Sequence, residues 1–272
     1  MKCFVLIGLI LSGTMAWAQS STYNVIKVNG EIFNVTQSQQ MSQGNSLYAQ
    51  DELNFKSNAF AYVISNAQKK YMLRTPNIES ADGDIFANAE LALSPIRSRG
   101  QLSTRAAMSE TGVKDFKTYL GIDNFNVIGP ELEIRMDSGM YPLSNEDFFV
   151  FHYTINDRKV SKKVAFNNQT LRIERNKLLV SNGDTLHSDT IPKLSVYKYQ
   201  PATESSELIT EINLCFIDAD VLKKELETIV PIVKSQGLPA DEIKAYLLQY
   251  VFDIYGNVEE SQVNQLIAGI EL

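Results

Sequence analysis

The chain has 272 residues, 44% hydrophobic and 21% charged, with a formal net charge of −7. These figures exclude a collagen-like, coiled-coil, polytopic membrane or wholly disordered protein, and the acidic balance argues against a nucleic-acid partner. The length has room for about two domains and enough core to fold without staples.

Residues 1–18 read as a signal peptide. Lys2 supplies the positive start, and Cys3 to Met15 is apolar apart from Gly8, Ser12, Gly13 and Thr14. Ala16 and Ala18 stand at the −3 and −1 positions, so cleavage is expected before Gln19. The run is shorter than the ~20 apolar residues of a spanning helix, and no later segment reaches that length. Cys3 lies on the wrong side of the apolar run for a lipid anchor. Removing eighteen residues leaves a chain of 254 with net charge −8 and one cysteine, Cys215. A lone cysteine forms no internal disulfide. The last residues, Ile267 to Leu272, read as helix rather than a β-rich secretion tail, which points to the periplasm rather than the extracellular space.

Residues 19–76 read as a small all-β module of about five strands. Tyr23 to Val28 and Glu31 to Val35 flank Asn29-Gly30, the strongest short hairpin signal. Gly44 marks another turn, Leu53 and Phe55 alternate with polar residues, and Ala59 to Ile64 is continuously apolar. Residues 77–112 read as a connector, rich in small residues and broken by Pro95 and Gly100. Between Ala92 and Ser109 its only charges are Arg97, Arg99 and Arg105, a candidate interaction segment.

Residues 113–217 carry seven or eight short strands after a helical turn near Asp115 to Leu120, a pattern that predicts an antiparallel β-sandwich. Asn156-Asp157-Arg158, Arg175-Asn176 and Asn182-Gly183 mark its turns. Residues 218–272 switch to a helical period. Asp218 or Asp220 caps the first of about three helices, Pro231 is expected to kink or end it, and Pro239 opens the second. The expected fold class is mainly β with a C-terminal helical segment: a small β-barrel-like module, then a β-sandwich capped by the helices.

Several residues of the first module also carry a family resemblance. Val25 to Val28, Gly30-Glu-Ile32, Met41 with Gly44, Leu47, Asp51-Glu-Leu53, Phe55 and Ala59 to Ile64 follow one pattern. It is two strands, a glycine turn, a leucine near a polar pair and an alanine-containing strand. Over these fifty or so residues the chain resembles the FecR-like β domain of bacterial envelope regulators. The resemblance implies an envelope-facing module that receives a protein or ligand signal. The sigma-factor-binding segment and membrane span that precede the domain in that family are not read here, so no direct sigma-factor contact is expected.

Catalytic motifs are not evident. His152 lies in an aromatic strand and His187 follows a turn, without the ligand spacing of a metal site. Cys215 sits in the apolar run Ile212 to Ile217, where cysteine is usually a small core residue. Asp82-Gly-Asp84 and Asp218-Ala-Asp220 lack the further ligands of a calcium loop and read as a turn and a helix cap. Asn34-Val-Thr36, Asn168-Gln-Thr170, Asp184-Thr-Leu186 and Asp189-Thr-Ile191 match short glycosylation acceptors.

Charge is uneven: residues 151–200 sum to +5 and residues 219–272 to −5. The simpler reading docks the acidic helices on the basic sandwich; the functional one recruits a partner or anionic polymer. The expectation is therefore a non-catalytic, exported binding or assembly factor of the bacterial envelope, without cofactor or metal, acting on a protein partner. A FecR-like ligand sensor and a glycan-active enzyme without a local motif are the alternatives.

Overall fold

The structure is a computed structural model and describes residues 21–75, 85–97, 107–181, 184–185 and 188–272. Residues 1–18 with Ala16 and Ala18, the following Gln19, Asp82 to Asp84, Arg99, Arg105, Asn182-Gly183 and His187 lie outside the described residues. The fold is mainly β with some helices. The chain divides into two units, residues 1–67 with 73–93, and residues 68–72 with 94–272.

The first part of the chain forms β1 (Thr22–Asn29), β2 (Ile32–Asn34), β3 (Gln39–Gln40), β4 (Ser46–Tyr48), β5 (Glu52–Phe55), β6 (Phe60–Ser65), β7 (Lys70–Arg74), β8 (Ile85–Asn88), a short helix α1 (Ala89–Ala92) and β9 (Leu93–Pro95). They build two sheets, β4-β1-β6-β7-β9 and β3-β2-β5-β8, and no closed barrel. Val25, Ile26, Leu47, Ala61 and Val63 of the first sheet are buried, as are Ile32, Leu53 and Phe55 of the second. A register shift between Val25 and Lys27 turns both Val25 and Ile26 inward, which breaks the simple period of two.

Asn29-Gly30 does not close a hairpin. β1 pairs with β4 and β6, whereas β2 pairs with β3 and β5, so the chain changes sheets here. Gly30 makes this possible with φ +76°, and a side chain there would stand 3.0 Å from the Ala59 backbone. The connector also differs from expectation, because β8 pairs with β5 and Asn88 caps α1 by accepting from the Glu90 amide. An apolar Ile85 and alternating burial were too short a signal against the surrounding small polar residues. Asp51, 2% exposed, pins the loops of this unit. It accepts from Asn34 Nδ2 (2.8 Å), Gln37 Nε2 (2.5 Å) and the Tyr48 amide (3.0 Å).

Past β9 the second unit contains the small hairpin β10 (Met108–Ser109) and β11 (Gly112–Val113), then α2 (Phe116–Leu120), β12 (Asn124–Ile128) and β13 (Glu131–Arg135). There follow β14 (Phe148–Ile155), β15 (Arg158–Lys163), β16 (Ala165–Asn167), β17 (Thr170–Glu174), α3 (Arg175–Leu178), β18 (Val180–Ser181) and β19 (Asp184–Thr185). The long strands β20 (Thr190–Gln200) and β21 (Ser205–Ile217) precede α4 (Ala219–Lys234), α5 (Ala240–Tyr255), β22 (Asn257–Val258) and α6 (Glu260–Ala268).

A six-stranded sheet has the order β15-β14-β20-β21-β12-β22, and a three-stranded sheet the order β13-β17-β16. One core cluster takes Phe149, Phe151, Val196 and Leu214 from the first and Leu132, Ile134, Leu171 and Ile173 from the second. The strands of these two sheets otherwise pair antiparallel, as expected; β12 is the exception and runs parallel to both β21 and β22. Asp218 caps α4, accepting from the Asp220 and Val221 amides. Pro231 neither ends this helix nor stops its register: α4 continues to Lys234, and its buried Ile229, Val230 and Val233 show why packing overrides the missing amide.

Two carboxylates organise the start of this unit. Asp115 caps α2 through the Thr118 amide (3.0 Å) and hydroxyl (2.6 Å), and these bonds hold its pKa below the ordinary value. Asp137 accepts from the Thr111 hydroxyl and from the Gly139 (3.0 Å) and Met140 (3.1 Å) amides, and it too is lowered, chiefly by Thr111. Both groups bind protons more weakly when folded. Their contribution is therefore complete above the ordinary carboxyl value of ~3.9 and is lost as pH falls from there through the lower folded-state value. Urea midpoints are expected to hold from neutral pH to about pH 5 and fall below it. The Asp115→Asn/Asp137→Asn variant is expected to start lower and fall less steeply; an unchanged acid slope would refute the assignment.

Candidate functional site

β14 alternates cleanly. Phe149, Phe151, Tyr153 and Ile155 face the core, and Phe148, Val150, His152 and Thr154 therefore face outward. Cross-strand partners share a face. On β20, Ser195, Tyr197 and Tyr199 lie opposite His152, Val150 and Phe148. On β15, Lys159, Ser161 and Lys163 lie opposite Thr154, His152 and Val150. The hairpin Asn156-Asp157, with φ of 50° and 59°, fixes this register in a two-residue turn.

The outer face is thus aromatic in its middle and cationic along β15. Phe148 and Tyr199 stack with centroids 5.9 Å apart and planes 20° apart. His152 meets Tyr197 edge-on at 5.2 Å. Lys163 Nζ lies 3.9 Å from the Phe148 ring centre, a cation–π contact. Tyr199 is 38% exposed and Leu208, on β21 opposite Tyr197, is 48% exposed. His152 Nδ1 and Ser161 Oγ share a hydrogen bond of 2.5 Å. Beside them is an open groove of about 410 Å³, lined by His152, Thr154, Lys159, Ser161, Lys193 and Ser195. Chemically this face offers ring surfaces, ammonium groups and small hydroxyls to an extended partner.

The helical segment docks at the other end of the sheet. Asn126 Nδ2 donates to the Tyr255 carbonyl (2.7 Å), and Gln262 bridges the Ile128 amide (3.1 Å) and carbonyl (2.9 Å). Tyr119 donates its hydroxyl to Glu259, and burial with that carboxylate pushes the phenol well up. The acidic helices therefore meet β12, four strands from basic β15.

Of the arginine trio only Arg97 is described, exposed just past β9. Cys215 stands beside Thr190, whose hydroxyl approaches Sγ at 3.6 Å, and burial pushes its thiol up, opposite to an activated nucleophile. Among the described residues no group of three or more His, Cys, Asp or Glu is placed to hold a metal ion, and no helix is long and apolar enough to cross a membrane. A second groove contains Arg175, Asp189 and Asp218, but Arg175 pairs with Asp189 and Asp218 is spent on its cap.

Sequence reasoning noticed His152 but missed the face around it. The signal was present in β14, where the positions that alternation assigns to solvent hold Phe148, Val150 and His152 rather than charged residues. The partners Tyr197 and Tyr199 lie far along the chain and become neighbours only through register. Comparison with protein-family models and with curated proteins gives no match.

Proposed function

We propose that this chain is a non-catalytic, exported binding or assembly factor of the bacterial envelope that recruits a protein through the outer face of the six-stranded sheet in its second unit. The observation that carries the reading is the partly exposed row of Phe148, Tyr197, Tyr199 and Leu208 beside a cationic strand. Aromatic side chains are enriched where proteins meet, and contiguous exposed apolar surface marks such sites. Export rests on the apolar start of the sequence and its small residues at Ala16 and Ala18. In the same proposal the first unit is an envelope-facing module of FecR-like type, with Leu47, Leu53, Phe55, Ala59, Ala61, Val63 and Ile64 in its core.

The test is in vivo crosslinking with tagged chain, scored by mass spectrometry, for the wild type and Tyr197→Ser/Tyr199→Ser. One or two stoichiometric envelope proteins are expected with the wild type. Their yield is expected to drop about tenfold or more in the variant, with circular dichroism and melting behaviour retained. An unchanged partner set in a folded variant would overturn the proposal.

A further inference from the structure

β15 ends the six-stranded sheet among the described residues. Val164 N donates to Phe149 O at 2.9 Å, and the register between β14 and β15 continues that pairing. In an antiparallel ladder, bonded and non-bonded pairs alternate. The main-chain groups of Arg158, Val160 and Lys162 consequently face β14, while those of Lys159, Ser161 and Lys163 face away from it. The same three residues place their side chains on the outer face with His152 and Phe148.

Charge decides what such an edge accepts. From Arg158 to Ile173 the sequence holds five basic residues and no acidic one, and four of the five lie in β15. Two copies of this strand repel, so the lysines guard against self-pairing. An extended acidic segment meets the opposite: free main-chain donors and acceptors, with ammonium groups directly across from alternate side chains. Resting on the binding role proposed above, we infer that β15 is a docking edge for an acidic, extended segment of a partner protein, which adds a seventh strand and lays its outward side chains beside the aromatic row.

Ser161 separates this mode from simple charge attraction. Its amide faces the free edge, so Ser161→Pro removes an edge donor without cutting a bond to β14. Ser161→Ala keeps the donor. The probe is the fluorescent, blocked decapeptide of alternating glutamate and valine, titrated with signal-free chain and read by anisotropy. Saturable binding below about 1 mM is expected, weakened several-fold as salt rises from about 50 to 300 mM. Ser161→Pro and Lys159→Glu/Lys163→Glu are each expected to lose about tenfold or more in affinity, and Ser161→Ala less than about twofold. The lysine–valine decapeptide is expected not to bind. No saturable binding to wild type, or full binding to a folded Ser161→Pro, would overturn the inference. Partner loss in Tyr197→Ser/Tyr199→Ser would survive either result, so failure of the edge and failure of the wider role are told apart.

Discussion

Replacing Gly112 by alanine is expected to destabilise the second unit by about 3–5 kcal/mol, a shift large enough to lower its urea midpoint by more than 1 M. Gly112 has φ +134°, where an L side chain is strained whatever the space around it. Space is also lacking. An added Cβ would lie 2.7 Å from both Arg135 O and Met136 C, and 2.9 Å from Asp137 N. These are backbone atoms of β13 and its end, held by the bond from Asp137 N to Val113 O at 3.0 Å. They cannot swing aside as a side-chain tip can. Gly129→Ala is the control, since Gly129 has φ +83° and nothing within 4 Å of the added carbon. It should cost only the conformational part, about 1 kcal/mol. If the two alanine variants unfold at the same urea concentration, the close approach of the β10–β11 hairpin to β13 is refuted.

Glu225→Ala is expected to cost about 3 kcal/mol. Glu225 is 1% exposed in α4. It accepts from Tyr250 at 3.1 Å and from Tyr255 with both oxygens at 2.8 Å, tying α4 to α5. Truncation leaves a cavity and strips a buried hydroxyl of its acceptor, and the second effect is the larger at roughly 1–3 kcal/mol for each group. Glu225→Gln keeps one carbonyl acceptor and the shape, so about 1 kcal/mol is expected there. A double-mutant cycle with Tyr255→Phe should return a coupling of about 1 kcal/mol or more. A coupling near zero would mean that the tyrosine hydroxyl contributes nothing through this carboxylate.

The parts of the fold legible in the sequence are those set by local period. Inward Phe149, Phe151, Tyr153 and Ile155 announced β14, and the spacing of Ile243, Leu247, Tyr250 and Val251 announced α5. The cap of α4 was readable down to a choice between Asp218 and Asp220, because a short acceptor before a helical run has few other uses. Pairing was not readable. Asn29-Gly30 has the chemistry of a hairpin turn, yet Ala59 pressing on Gly30 and the burial of Ile32 in a second sheet decide the path. The two residues of β22 carry no signal, and their place beside β12 follows from where α5 ends. The candidate face shows the same division. Phe148 and His152 were visible as aromatic residues, but their neighbours Tyr197 and Lys163 are assigned by strand register, a tertiary property.

The placement of β12 also sets an order of events. Its neighbours are β21 and β22, and the bonds that fix it join residues 89 apart (Asn124 to Asn213) and 129 apart (Asn126 to Tyr255). Contacts this remote close late, because the loop entropy must be met before any bond forms. At a synthesis rate of about 5–20 residues per second, β12 waits roughly 6–26 s for its last neighbour. Throughout that interval the edge of β12 that β22 takes stays open. The six-stranded sheet is therefore completed only once α5 has been made and has placed β22.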